Sequence, residues 1–208
     1  MRSIKLLAGT AVVVAMASGC TTSQGGTPTP SSNTGSAAAS TSATTSGNDS
    51  EAPRVSVPLD ASKFLSQPCA ILAPAQLKDL NLQAQGKPDT DSQIAKTSGP
   101  SCSWRNSDAS ANSVSFTTGN KNGLSDTYRA HRQGQFGGYF EPTDVTGYPA
   151  VFRDIKDFRN NGTCNLTVGI SDTLTFLVTE QGPLKGAASC DRAKQVASLV
   201  IETLKRGG

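Results

Sequence analysis

Cys164-Asn165-Leu166-Thr167-Val168-Gly169-Ile170-Ser171-Asp172-Thr173-Leu174-Thr175-Phe176-Leu177-Val178 decides the fold. Cys164, Leu166, Val168 and Ile170 alternate, and Leu174, Phe176 and Val178 alternate again after Ser171-Asp172-Thr173. A period of two puts every second side chain on one sheet face. Two such runs joined by three turn-forming residues predict a hairpin. Downstream, Ala193, Val196, Ala197, Val200, Ile201 and Leu204 form one apolar stripe of helical period within Cys190 to Lys205. Asp191 near its start and Lys205 and Arg206 at its end suit the helix dipole, and Gly207 and Gly208 stop it.

Upstream the pattern continues more weakly. Asp144 to Phe152 reads as one irregular strand with Gly147 and Pro149 inside it, and proline places such a strand at an edge or bulge. Leu124 and Tyr128 share a face in a helix from Gly123 to Gln133, ended by Gly134 and preceded by a turn over Asn120 to Gly123. Val114, Phe116 and Thr118 alternate in Ser113 to Thr118, and Cys102 and Trp104 alternate in a shorter stretch. Pro74 suits the first position of a helix carrying Leu77 and Leu80 on one side. Ala73 is a poor N-cap there, weaker than Ser or Thr by about 1 kcal/mol. About five strands with hairpin connections and two or three helices predict an α+β domain, an antiparallel or mixed sheet with helices packed on it. This element order resembles the small α/β sandwich of photosystem accessory proteins of the PsbP type.

The first 53 of the 208 residues cannot join a packed core. Arg2 and Lys5 precede an uncharged apolar run from Leu6 to Ala17. It is too short to span a ~30 Å hydrocarbon layer, which takes about 20 helical residues, and it has the length of a signal-peptide apolar segment. Ala17-Ser18-Gly19-Cys20 then resembles a bacterial lipobox, with Ala where Leu is commoner. The resemblance implies cleavage after residue 19 and diacylglycerol on the Cys20 thiol. Acyl chains contribute about 0.8 kcal/mol per buried CH₂, enough with two or three chains for a stable membrane anchor. An ordinary secretory signal with a chance cysteine is the plainer alternative.

Residues 21–53 hold eight Thr and eight Ser, no aromatic residue, no Val, Ile, Leu, Met or Phe, and no charge before Asp49. Such a segment cannot offset its ordering entropy by burial. It reads as a spacer with an end-to-end distance on the order of 30 Å, and its Ser/Thr/Pro content is of the kind that carries O-linked sugars. The expected organisation is a lipoprotein signal over 1–19, lipidated Cys20 and a disordered linker over 20–53, and one disulfide-bonded domain over 54–208.

The full chain has 19 basic and 16 acidic residues. Losing Arg2 and Lys5 leaves 17 against 16, with no Lys/Arg cluster after the signal. Nucleic acid, which calls for a basic stripe, is not an expected partner. The expected partners are the membrane, through Cys20, and an envelope protein, lipid or polysaccharide.

Cys69, Cys102, Cys164 and Cys190 remain once Cys20 is assigned to lipid. An even number in an exported domain reads as disulfides, and four cysteines allow three pairings. The local, non-crossing choice is Cys69–Cys102 and Cys164–Cys190. Cys164 shares the buried face of Leu166 and Val168, and Cys190 opens the helix whose stripe packs on that face. Each bridge is expected to contribute about 3–4 kcal/mol. A metal site is the competing reading, but no Cys-x-x-Cys pair exists and His131 is the sole imidazole, so no metal or cofactor is expected.

Reactive constellations are thin. His131 lies on a predicted helix with Asp126 and Arg132 nearby, without the paired nucleophile that hydrolysis needs. Asp154 and Asp157 read as a solvated loop. Phe136, Tyr139 and Phe140, among Gly134, Gly137 and Gly138, are a candidate ligand-covering loop; the alternative is a connection whose aromatic rings anchor to the core.

Pro68-Cys69-Ala70-Ile71-Leu72 with Leu77, Cys102-Ser103-Trp104, Gly147-Tyr148-Pro149-Ala150-Val151, Cys164 to Ile170, and Cys190 with Ala193 and Leu204 form one pattern. It is similar to a family of actinobacterial envelope lipoproteins built on a domain of unknown function, with Ala73 departing from the expected Thr or Ser. The resemblance implies a lipid-anchored domain on the extracytoplasmic face of the cell membrane, and no reaction. The expectation is therefore a non-enzymatic binding or accessory module; a hydrolase or transferase with a site invisible in the sequence is the alternative.

Overall fold

The hairpin at Ser171–Thr173 lies at the middle of the sheet in the computed structural model, which describes residues 52–106 and 110–207. Among the described residues, seven strands form one antiparallel open sheet: β1 (Lys87–Asp89), β2 (Ser101–Arg105), β3 (Ala111–Thr117), β4 (Tyr139–Val145), β5 (Tyr148–Asp154), β6 (Thr163–Gly169) and β7 (Thr175–Gln181). Their order is β1-β2-β3-β7-β6-β5-β4. Five helices accompany them: α1 (Ser62–Ser66), α2 (Pro74–Asp79), α3 (Gln93–Ser98), α4 (Leu124–Arg132) and α5 (Ala187–Lys205), with 3-10 turns at Pro68–Ile71 and Arg159–Asn161. The described residues fall in one compact unit.

The α+β class expected from the sequence is the one observed; the strands number seven rather than five. The segment Asp144–Phe152 is not one irregular strand. It turns through Thr146 and Gly147, both at positive φ (50° and 89°), so β4 and β5 are a two-residue hairpin. Asp144 Oδ1 accepts the Gly147 N–H at 2.9 Å and closes that turn. The second added strand is β1, three residues around Pro88. Helices α1 and α3, of five and six residues, lacked a readable apolar period.

The core lies on one face of the sheet. Cys102 and Trp104 from β2, Val114 and Phe116 from β3, Phe176 and Val178 from β7, and Leu166 and Val168 from β6 are fully buried there. The predicted stripe of α5 covers them, every member at or below 3% exposed. Phe64 of α1 stacks on Phe116, and Ile71, Leu77 and Leu80 complete the layer. Ala73 caps α2 poorly, as expected, but Gln76 reaches back to the Ala73 N–H at 2.8 Å. The same Gln76 donates to the Leu199 carbonyl and accepts from Thr203, so the cap also fastens α2 to α5.

The disulfides are Cys69–Cys102 and Cys164–Cys190, with Cα separations of 5.0 and 5.1 Å. The signal segment, Cys20 and the spacer as far as residue 51 lie outside the described residues. Packing begins earlier than Arg54, for Ala52 is already buried with Leu124, Tyr128 and Val151. From there Val55 lies over Gly169, and the Leu59 N–H bonds the Ile170 carbonyl as the chain crosses to the core face.

Candidate functional site: the open face of the sheet

The sheet's second face follows from alternation. Residues between the buried positions point away from α5: Ser101 and Ser103 from β2, Ser113 and Ser115 from β3, Leu177 and Thr179 from β7, and Asn165 and Thr167 from β6. Helix α4 covers a corner of this face, where Leu124 and Tyr128 pack on Val151 and Phe140. Beyond that corner the hydroxyl side chains of Ser101, Ser103, Ser113, Ser115 and Thr179 stay partly exposed.

The register sets them in rows. Lys87, Ser103, Ser113, Thr179 and Asn165 stand abreast across β1, β2, β3, β7 and β6. Thr179 Oγ1 donates to Asn165 Oδ1 at 2.7 Å, and Asn165 Nδ2 donates to Asp154 Oδ2 at 2.8 Å, which fixes the amide's orientation. At the β1–β2 end the face deepens into a recess of about 830 Å³ lined by Gln85, Lys87, Asp89, Ser101, Ser103 and Arg105. A smaller hollow bounded by Ser103, Arg105, Ser113, Thr179 and Gln181 continues it over β3 and β7. The Ser92 hydroxyl and backbone N–H hold Asp89, on the rim, below the usual carboxylate range. The lining combines hydroxyls and amides, each both donor and acceptor, with the cations of Lys87 and Arg105, the carboxylates of Asp89 and Asp91, and the apolar ring of Pro88.

The residues singled out in the sequence lie elsewhere. Tyr139 and Phe140 are not loop residues but the first two of β4, on opposite faces. Tyr139 is buried on the core side, its OH 3.9 Å from Cys164 Sγ and accepting the Asn165 N–H at 3.3 Å. Burial pushes its phenol pKa up. Phe140 lies under α4, with Tyr128 edge-on at 4.9 Å and His131 stacked at 3.9 Å. Phe136 stacks on Phe140 at 6.2 Å. The connection before β4 is pinned, because a Cβ on Gly138 would lie 2.3 Å from the Lys156 backbone.

Asp126 does not orient His131. It accepts the backbone N–H groups of Lys121 and Asn122 and pairs with Arg129. Burial pushes its carboxyl up, but the Asn122 side chain and backbone and the Arg129 guanidinium outweigh that and hold it below the usual range. Asp154 serves Asn165 and the Ile155 N–H, while Asp157 pairs with Arg159. Arg159 also forks onto Glu141 and lies 4.2 Å from the Tyr139 ring, so these carboxylates tie the Arg159–Asn161 turn to β4. No group of metal-ligating side chains occurs among the described residues.

The outward residues of β2, β3, β6 and β7 were in the sequence as the other half of each alternation. Read singly, they are ordinary solvent-facing Ser and Thr. Strand order makes them a surface, since β3 pairs with β7 across 57 intervening positions (Thr117↔Thr175).

With this geometry in hand, comparison with family models gives a match over residues 15–203 to the family described as protein of unknown function DUF3558. The chain belongs to the DUF3558 family. The match spans the core face, both disulfides and the open face of this DUF3558 domain, and its description carries no activity. No curated protein and no solved structure matches the chain significantly.

Proposed function

We propose that this DUF3558 protein is an envelope lipoprotein of the actinobacterial type. It is exported, lipidated on Cys20 and held at the extracytoplasmic face of the cell membrane by its Ser/Thr-rich spacer. Its folded domain is a non-enzymatic binding module, and the open sheet face is its binding surface. The observation that carries the reading is the pair of adjoining hollows, sharing Ser103 and Arg105, that run from β1 to β7 with no helix over them among the described residues.

Two disulfides suit an oxidising compartment, and Ala17-Ser18-Gly19-Cys20 suits acylation. Binding is favoured over catalysis because serine needs an adjacent base to act as a nucleophile. His131 stacks on Phe140 under α4, and Asp126, Asp154 and Asp157 are engaged in structural contacts. Pairing along the sheet edges is disfavoured, because β1 carries Pro88 and β4 carries Pro142, each beside charged residues. An extended ligand with many hydroxyl or amide groups, such as an envelope polysaccharide, fits the face that remains.

Mass spectrometry of the mature protein should find an acylated N-terminal Cys20; a Cys20→Ser protein that stays membrane-bound refutes the anchor. For the binding face, Ser113→Tyr should abolish retention on immobilised envelope polysaccharide while leaving the melting temperature unchanged. Hydrolysis of an ester, peptide or glycan that is lost in a folded single-residue variant would replace binding by catalysis.

A further inference from the structure

Arg153 of β5 lies where the covered corner of the second face meets the open part. Its guanidinium carbon sits 4.6 Å from the centre of the Phe136 ring, and its Nε donates to Thr167 Oγ1 at 2.9 Å. Continuing the register Phe152↔Leu166 by one residue puts Arg153 abreast of Asn165. Arg153, one residue beyond the last paired position of β5, therefore lies next to the row that runs from Asn165 through Thr179 and Ser113 to Ser103.

The side chain is half-buried, yet among the described residues no carboxylate lies within ion-pair distance of it, and its Nη groups donate to none of them. Asp154, its neighbour in the chain, gives its oxygens to Ile155 and Asn165. Arg159 shows what a structural arginine looks like in this molecule: Glu141 and Asp157 both hold it. Burial pushes the Arg153 guanidinium pKa down, against the pull of Asp154 and Tyr139. Taking a cation out of water without a counter-ion is costly. A planar fork placed over an aromatic ring, with its Nη groups donating to no described residue, can recognise an oxyanion in two parallel hydrogen bonds.

We propose that Arg153 is the oxyanion anchor of the open face, taking the carboxylate of an acidic saccharide. The sugar's neutral residues would then run along Asn165, Thr179 and Ser113 toward Ser103. Four strand spacings separate β5 from β2, about 19 Å at 4.8 Å each, the reach of a short oligosaccharide. The face offers one hydroxyl or amide per strand, and the apolar side chains of the adjoining row are Leu177 and Val151, of which Val151 is already covered by Leu124 and Tyr128, leaving little to seat acyl chains. The proposal rests on the open face being the binding surface.

The test is a titration of the full ¹⁵N-labelled chain, following the arginine Nε–H and backbone amide signals. The probes are trigalacturonate, neutral maltotriose, inorganic phosphate, and vesicles of phosphatidylglycerol or phosphatidylcholine. Trigalacturonate should shift the Arg153 Nε–H saturably, and phosphate should shift it more than it shifts exposed Arg54. Arg153→Gln should weaken trigalacturonate binding at least tenfold and leave maltotriose unchanged. Arg153→Lys, which keeps the charge and loses the fork, should fall between. The unmodified protein's titration decides the matter even if a variant fails to fold.

If the amides of Ser113 and Thr179 respond to both sugars while Arg153 stays still, the anchor is wrong and the binding face stands. If no probe moves either, both readings fall. If only phosphatidylglycerol vesicles engage Arg153, the anion is a lipid headgroup and the saccharide is overturned.

Discussion

Gly86 is the tightest packing point beside the first disulfide, and Gly86→Ala tests how the Cys69–Cys102 bridge and the core share space. A Cβ at this position would lie 2.5 Å from Cys102 Sγ, 2.6 Å from Trp104 Nε1 and 3.0 Å from Cys69 Sγ. Ordinary contact between heavy atoms is about 3.5–4.0 Å, so the methyl needs roughly an ångström of room from each neighbour. None can give it easily: the sulfurs are bonded to each other, and Trp104 is fully buried. Overpacking of this kind costs about 1–3 kcal/mol, occasionally more, and three constrained neighbours put Gly86→Ala near the upper end, about 3 kcal/mol. Urea denaturation of the oxidised protein, read by its one tryptophan, should show the midpoint falling by about 1.5 M for a slope near 2 kcal/mol/M. In a Cys69→Ala/Cys102→Ala background the sulfurs are gone and the methyl meets only the indole. There Gly86→Ala should cost about 1–2 kcal/mol less, a direct coupling energy. A loss under about 0.5 kcal/mol in the oxidised protein, or an equal loss in both backgrounds, would refute the reasoning.

Replacing both Cys164 and Cys190 by alanine opens a loop of sequence separation 26, for which the chain-entropy relation gives a loss of about 3.5 kcal/mol; calorimetry against the oxidised parent checks it. Asp126→Asn removes the charge and one of the two oxygens that together accept from Lys121, Asn122 and Arg129, and should destabilise by about 1 kcal/mol, the usual worth of a lost cap. The native Asp126 carboxyl is held below its unfolded value, so the folded state binds fewer protons. The gap between parent and Asp126→Asn should therefore be full above about pH 4 and close as pH falls through the depressed native value; a gap that widens in acid would contradict this. Gly147→Ala meets nothing within 4 Å but keeps φ at +89°, so its cost in a thermal melt should be the backbone term of about 1–2 kcal/mol.

The β6–β7 hairpin, the α5 stripe and the disulfide pairs were readable because one physical rule governs each. Alternation, helical period and loop closure all act over short spans, and their residues lie within about thirty positions of one another. The Thr146–Gly147 turn was written locally only in part, since Gly147 suits positive φ but the β-branched Thr146, at φ 50°, does not. The run from Asp144 to Phe152 hid it, because Val145 and Tyr148 flank it without a polar break. β1 and α3 escaped for a different reason: at three and six residues they bury little of their own and are held by neighbours. The open face was the least legible feature. Ser103, Ser113, Thr179 and Asn165 belong to four separate strands, and nothing local says that β3 will pair with β7 rather than with a nearer segment. Arg153 was passed over because an arginine in an outward strand position needs no explanation until it is seen that no carboxylate among the described residues pairs with it.

The open face and the disulfides answer to the same constraint. A sheet with helices on both sides would gain a second buried layer, and here α4 supplies only a corner of one. Burial on the core face alone must therefore offset the ordering entropy of the described domain, a demand that falls hardest on domains with little buried surface. A disulfide stabilises chiefly by restricting the unfolded chain, so it adds stability without covering any surface. Cys102 fixes β2 to the Pro68–Ile71 turn, and Cys164 fixes β6 to the first turn of α5. These two strands flank the central β3–β7 pair on either side, and both bridges lie on the core face. The staples thus bracket Ser113 and Thr179 from behind, where they support the polar row without crowding it. With Pro88 and Pro142 interrupting the two edge strands, the ungapped approach to the backbone is closed at both ends. The ligand proposed above would be left with side-chain recognition across the face, which is the kind that hydroxyls, amides and a guanidinium provide.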